Sequence, residues 1–193
     1  MRRAVFERNT NETKVKLEIS LDGTGESEIS TGIGFLDHML TLFSKHSGFD
    51  LKLQAAGDLG VEEHHLTEDI GICLGSALAK ALGEKKGISR YGFFILPMDE
   101  SLCTSAIDLG GRCSFSWNGE FKRDMLGTLA TENIKHFWSS FAQNARLNLN
   151  VKFEGENDHH KCEAVFKSVA RALKMACKIE SGYEDVPSTK GVL

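Results

Sequence analysis

The chain has 193 residues, 41% hydrophobic and 26% charged, with a formal net charge of -4 and a pI near 6.0. Such a chain buries about 70% of its unfolded surface as one domain or two small ones, and its acidic balance argues against nucleic acid, whose partners carry basic faces. No run spans a bilayer, MRRAVFERNT lacks a leader's apolar stretch, and five cysteines stand without CxxC spacing; we expect no membrane association, a cytoplasmic location and reduced thiols.

The first 30 residues alternate apolar and polar in two runs, Ala4-Val5-Phe6 and then Val15, Leu17, Ile19 and Leu21. With Asp22-Gly23 at the end, they read as two strands and a hairpin turn, and Glu12 lies in their connection. Phe35, Met39, Leu42 and Phe43 recur at helical spacing up to Ser47-Gly48, with His38 on that helix. Leu51, Leu53 and Ala55 predict a strand that stops at Gly57, and His64-His65-Leu66-Thr67-Glu68 opens a helix that carries Ile70, Leu74, Leu78 and Leu82 to Gly83. Tyr91 to Leu96 and Ala106 to Leu109 read as strands joined by Pro97-Met98-Asp99-Glu100. A helix follows with Phe137, Phe141 and Ala145, and His136 near its head. Leu147, Leu149, Val151 and Phe153 then predict a strand ending at Gly155, after which His159-His160-Lys161-Cys162-Glu163 opens a helix carrying Val165, Val169 and Leu173.

The order of elements repeats. His38 to Gly57 and His136 to Gly155 are both 57 - 38 = 155 - 136 = 19 residues, and only the loop from the glycine to the paired histidines differs, seven residues against four. We read an internal duplication, residues 1–86 and 87–193 being two repeat units of one compact domain. Six of the seven histidines occupy matching positions; with Glu68 and Glu163 they give eight candidate ligands, His38, His64, His65, Glu68, His136, His159, His160 and Glu163, enough for two sites of four. Imidazole plus carboxylate suits Mn²⁺, Fe²⁺ or Zn²⁺. Successive helical residues turn about 100°, so His64 and Glu68 share a face while His65 points aside, and one motif can reach two ions. One set would join His64 and Glu68 to His160, the other His159 and Glu163 to His65, with His38 and His136 completing them in an order the spacing leaves open. Thr67 stands where the second motif has Cys162, which argues against a thiolate ligand. His46 has Asn144 as its counterpart and is open to three readings: substrate contact, support of a ligand, or surface.

These residues resemble the imidazoleglycerol-phosphate dehydratase family, the lyase of histidine biosynthesis. The likeness runs through Arg8-Asn9-Thr10-Asn11-Glu12-Thr13, Gly34-Phe35-Leu36-Asp37-His38-Met39-Leu40, both His-His-x-x-Glu motifs, Pro97-Met98-Asp99-Glu100 and Val186-Pro187-Ser188-Thr189-Lys190-Gly191. It implies an α+β fold with helices packed between two four-stranded sheets, two Mn²⁺ per active site on the eight ligands above, and a 24-subunit homo-oligomer with sites at subunit interfaces. The implied reaction removes water from a phosphorylated imidazole, imidazole-glycerol phosphate, to give imidazole-acetol phosphate. The proton to be removed lies beside an imidazole ring, and metal ions on the ring nitrogens would favour the imidazolate or diazafulvene form that accepts its electrons. Glu12 resembles the family's substrate-contacting glutamate and is expected to act as general acid and base. Arg90, Arg112, Ser188, Thr189 and Lys190 match the phosphate positions. Lys167 either reaches substrate or pairs with Glu163 one turn back; His38, His46, His64 and Glu68 complete the implied substrate set. Some members are fused to a phosphatase domain; in a sequence of 193 residues we expect none. A metal-storage protein and a metal hydrolase acting on another phosphorylated small molecule are the alternatives, which phosphate-ester affinity and product analysis separate.

Overall fold

The computed structural model describes residues 1–193. The first half runs β1 (Arg3–Asn9), β2 (Thr13–Ser20), β3 (Ser27–Ser30), α1 (Gly34–Ser47), β4 (Asp50–Gly57) and α2 (His64–Leu82). The second runs β5 (Tyr91–Met98), β6 (Ser101–Asp108), β7 (Ser114–Asn118), a small hairpin of β8 (Met125–Leu126) and β9 (Leu129–Ala130), then α3 (Thr131–Ala145), β10 (Asn148–Glu154) and α4 (Asp158–Ala176). The sheet orders are β1-β2-β4-β3 and β5-β6-β10-β7, the same topology twice. In each sheet the last pairing is parallel and is bridged by a helix, α1 or α3, as a parallel crossover requires.

Alternation places one face of each sheet inward: Val15, Leu17, Ile19, Leu51 and Leu53 from the first, Cys103, Ile107, Leu149, Val151 and Phe153 from the second. The four helices fill the space between. α2 lies on β1 and β2 and packs α3; α4 lies on β5 and β6 and packs α1. Phe43, Trp138, Phe141 and Phe166 interlock between the helices, with Trp138 4.8 Å from Phe166 and 5.4 Å from Phe141 between ring centroids. The α2–α3 approach depends on glycine. A Cβ at Gly71 would lie 2.7 Å from the Phe137 carbonyl oxygen, and one at Gly75 would run into that of Phe141.

Three expectations are corrected. Asp22-Gly23 does not close a hairpin: β2 is flanked by β1 and β4, and the chain instead crosses to β3, held there by the Asp50 carboxylate, which accepts from the backbone N–H groups of Thr24, Gly25 and Glu26 at 2.8, 3.0 and 3.0 Å. The hairpin turn is Thr10 to Glu12. Pro97 belongs to β5, opposite Leu102; β5 is an edge strand, where the missing N–H costs no ladder bond. β6 also begins at Ser101 rather than near Ala106, because its inward residues there, Ser101, Cys103 and Ser105, carry little apolar signal while Leu102 points outward.

Candidate metal centre

The repeated helices bring the predicted ligands together in two matching groups. α1 and α4 place His38, His159 and Glu163 so that their ligand atoms lie within 4.8 Å of one another; α2 and α3 do the same for His64, Glu68 and His136. In the first group Glu163 Oε1 is 3.2 Å from His38 Nε2 and 2.9 Å from His159 Nε2. In the second, His136 Nε2 is 3.3 Å from Glu68 Oε1, and the His64 and His136 rings stack at 4.8 Å. His136 Nε2 is buried with no hydrogen-bond partner. An orphaned imidazole nitrogen aimed at a carboxylate, beside another imidazole, is a donor set that a divalent cation would satisfy.

The offset histidines face elsewhere. His65 Nδ1 lies 3.1 Å from Asp58 Oδ2 and 3.7 Å from Glu12 Oε2; His160 Nδ1 lies 2.8 Å from Glu100 Oε2, with its Nε2 3.5 Å from Asp99 Oδ2. The expected crossing between motifs is therefore not made within one chain: His160 does not join His64 and Glu68, nor His65 join His159 and Glu163. His136 lies with His64 and Glu68 of the first motif, and His38 with His159 and Glu163 of the second.

Local chemistry prepares the groups. Burial pushes the Glu163 carboxyl up, but Lys167, His159 and His38 outweigh it and bring it down to about 2, so it is ionised at neutral pH. Lys167 Nζ donates to Glu163 Oε2, the one-turn pair. Cys162 is fully buried and its thiol is raised well above the ordinary value, chiefly by burial, as suits a residue that is not a ligand. His46 sits on the α1 face beside α4; burial, Lys167 and Arg171 lower its pKa.

Several residues outside the sequence expectation support the ligands. Glu63 Oε1 accepts from the Asn133 side-chain amide at 3.1 Å and from Ala130 N–H at 2.7 Å. Asn133 therefore turns its oxygen to His64 Nδ1 at 2.8 Å, which fixes the proton there and frees Nε2 as a donor to metal. Asn133 precedes His136 by one helical turn, a signal available in the sequence. Its counterpart in the first half is Phe35, whose ring meets His159 edge-on at 5.3 Å. Arg8 Nε donates to Asp69 Oδ1 at 2.7 Å and Thr13 Oγ donates to Asp69 Oδ2, clamping the Glu12 hairpin onto α2. Glu12 itself is exposed at the hairpin tip.

The expected phosphate residues gather at the other end of the second sheet. Arg90 binds Asp108 with Nε at 2.7 Å and one amino group at 3.1 Å, and its other amino group donates to the Pro187 carbonyl at 2.8 Å, tethering the segment that carries Ser188, Thr189 and Lys190. Arg112 is exposed in the turn after β6, next to Gly111, which backs onto Leu193. β5 has 8 residues between this end and Asp99-Glu100, about 25 Å at strand rise.

No helix is long and apolar enough to cross a membrane. The chain is 51% identical over 193 residues to the imidazoleglycerol-phosphate dehydratase of Rhodopirellula baltica, covering 100% of this chain and 96% of that one. It is also 51% identical to the histidine biosynthesis bifunctional protein HisB of Spirosoma linguale, of whose length it spans only 50%. The crystal structure of imidazoleglycerol-phosphate dehydratase from Staphylococcus aureus superposes with a TM-score of 0.84 at 39% identity, over 92% of this chain and 99% of that one. Residues 31–173 match the imidazoleglycerol-phosphate dehydratase family as such, and with a duplicated α+β sandwich and full-length likeness on the same side, the chain belongs to that family of hydro-lyases.

Proposed function

We propose that this chain converts imidazole-glycerol phosphate to imidazole-acetol phosphate and water, the dehydratase step of histidine biosynthesis, using two Mn²⁺ per active site. The observation that carries the reading is the pair of three-ligand groups on matching helices, each one ligand short of four. His64, Glu68 and His136 would hold one ion and His38, His159 and Glu163 the other, each set completed by an outward histidine, His160 or His65. When bound, the ions would act as Lewis acids on the imidazole ring, lowering the cost of removing the adjacent carbon-bound proton.

Glu12 is the acid and base in this reading. Its carboxylate is exposed and lies 3.7 Å from His65 Nδ1, too far for a hydrogen bond, so it is free to take the proton from the carbon beside the ring and return one to the leaving hydroxyl. Water departs, and the resulting enol becomes the ketone. His46 and Lys167, on facing helices beside the His38 group, would line the substrate. Arg90, Arg112, Ser188, Thr189 and Lys190 would bind the phosphate, with the Arg90 guanidinium oriented by Asp108.

The phosphate end and the Glu100-His160 end of β5 are too far apart for one small substrate. We infer that neighbouring chains supply the two halves of each site, in a homo-oligomer of 24 subunits. Support comes from β5, whose outer face exposes Tyr91 (58%), Phe93 (63%) and Ile95 (59%), a stripe of the kind that marks an interface, whereas the corresponding face of β1 and β2 carries Arg3, Glu7, Lys14 and Lys16.

The test is ketone formation from imidazole-glycerol phosphate by the purified protein, before and after chelation and with Mn²⁺ restored. Activity that vanishes and returns supports the reading. A protein that binds metal yet yields no ketone contradicts it, and a released second fragment would indicate hydrolysis.

A further inference from the structure

We propose that Glu100 is the positioning carboxylate of His160, and that the duplicated halves have divided two roles between equivalent glutamates, Glu100 holding a ligand and Glu12 remaining free for chemistry. The proposal rests on the eight-ligand reading above. Glu12 and Glu100 occupy the same place in the repeat. Each stands at a hairpin tip, just before the buried first residue of the inner strand, Thr13 or Ser101, and each faces the outward histidine of the helix packed below, His65 or His160.

Their surroundings differ. Glu100 Oε1 accepts from Asn157 N–H at 2.7 Å, from Glu156 N–H at 3.3 Å and from Ser101 Oγ at 3.0 Å, while Oε2 faces His160 Nδ1 at 2.8 Å. Both oxygens are committed, and the carboxylate is locked to the backbone that enters α4. No such bond reaches the Glu12 carboxylate. In the first half His65 Nδ1 is met by Asp58 instead, at 3.1 Å. Asp58 lies in the loop between Gly57 and His64, three residues longer than its counterpart between Gly155 and His159 (7 - 4 = 3). The longer loop supplies the orienting carboxylate that Glu100 supplies in the second half, which leaves Glu12 unbonded.

The consequence is chemical. A neutral imidazole has one free lone pair; with Nδ1–H donating to a fixed carboxylate, Nε2 is the nitrogen available to an ion. Glu100→Gln keeps an oxygen for the Asn157 N–H, but turns an amide N–H toward His160 Nδ1. The ring proton is then driven to Nε2, the nitrogen the ion needs.

The test is a Mn²⁺ titration of the assembled protein, with free Mn²⁺ read by electron paramagnetic resonance. We expect E100Q to bind Mn²⁺ about 10- to 100-fold more weakly at one of its sites, E100D to recover most of that affinity, and E12Q to bind like wild type while losing turnover. Wild-type affinity in E100Q overturns the proposal alone; a wild-type protein that takes up no Mn²⁺ overturns the eight-ligand reading and this proposal with it. If E100Q does not fold, nitrogen NMR of histidine-labelled, metal-free wild type decides, with His160 identified by difference from H160Q. A proton on Nδ1 supports the proposal, and one on Nε2 overturns it.

Discussion

Glu12 at a hairpin tip and Asp50 at the head of β4 are both carboxylates, yet the structure gives them opposite lives. Glu12 has no hydrogen bond to its side chain, and a group left unbonded in a ligand cluster is suited to moving protons. Glu12→Gln should therefore retain its metals and lose about 10²- to 10⁴-fold in turnover, read as kcat at saturating substrate beside a Mn²⁺ titration. Asp50 is spent on structure. The Glu26, Thr24 and Gly25 N–H groups hold its carboxyl below the ordinary value, the Glu26 bond outweighing the opposing effect of burial. A depressed folded pKa means that this stabilisation is complete above the unfolded value, about 3.9, and is lost as pH falls through the folded one. Asp50→Asn should thus lower stability by about 1–2 kcal/mol at pH 7 and flatten the acid limb below about pH 4, measured by urea unfolding across pH. The proposed ligands stand out in the sequence because duplication wrote each spacing twice. Asp58, Asn133 and Glu100 were given no part in holding histidines: Asn133 and Glu100 meet His64 and His160 across 69 and 60 residues, and Asp58, seven residues before His65, lies in the loop whose length has no match in the second half.

The elements matter as pairs of parallel helices. α2 carries His64 and Glu68, α3 carries His136, and their separation fixes whether three donor atoms can share one ion. Gly71 and Gly75 set that separation against the Phe137 and Phe141 carbonyls. Gly75→Ala should push α3 away, costing about 1–3 kcal/mol by overpacking and weakening Mn²⁺ binding at the His64 group more than at the His38 group. Thermal melts with and without Mn²⁺ read both effects. Helices with continuous apolar periodicity and strands with clean alternation, such as Leu147 to Phe153, were legible to within a residue or two. β3 was not: Ser27–Ser30 contains one apolar residue, and its partner β4 is reached only across α1. β7 was missed for the related reason that its parallel partner, β10, lies beyond a hairpin and a helix.

At the scale of the whole molecule, one chain holds every part of the proposed site but in the wrong places for a single substrate. The metal groups stand at helix N-termini, the phosphate residues at the far end of β5, and His65 and His160 face out of the groups they would complete. In the proposed homo-oligomer, neighbours close that arrangement. Phe93→Asp with Ile95→Asp should cut the assembled mass, seen by light scattering, and reduce dehydration along with it, while the isolated fold keeps its circular dichroism. The α+β sandwich followed from the repeat and its resemblance, but no periodicity in the sequence reports which ends of which strands meet across chains.

The most direct measurement is anomalous scattering at the manganese edge from crystals of the metal-loaded protein. We predict about two Mn²⁺ per chain, one at His38, His159 and Glu163 and one at His64, Glu68 and His136, each completed by an outward histidine, His65 or His160, of a neighbouring chain. Ions absent from both groups, or sets closed without any neighbouring chain, would contradict that prediction.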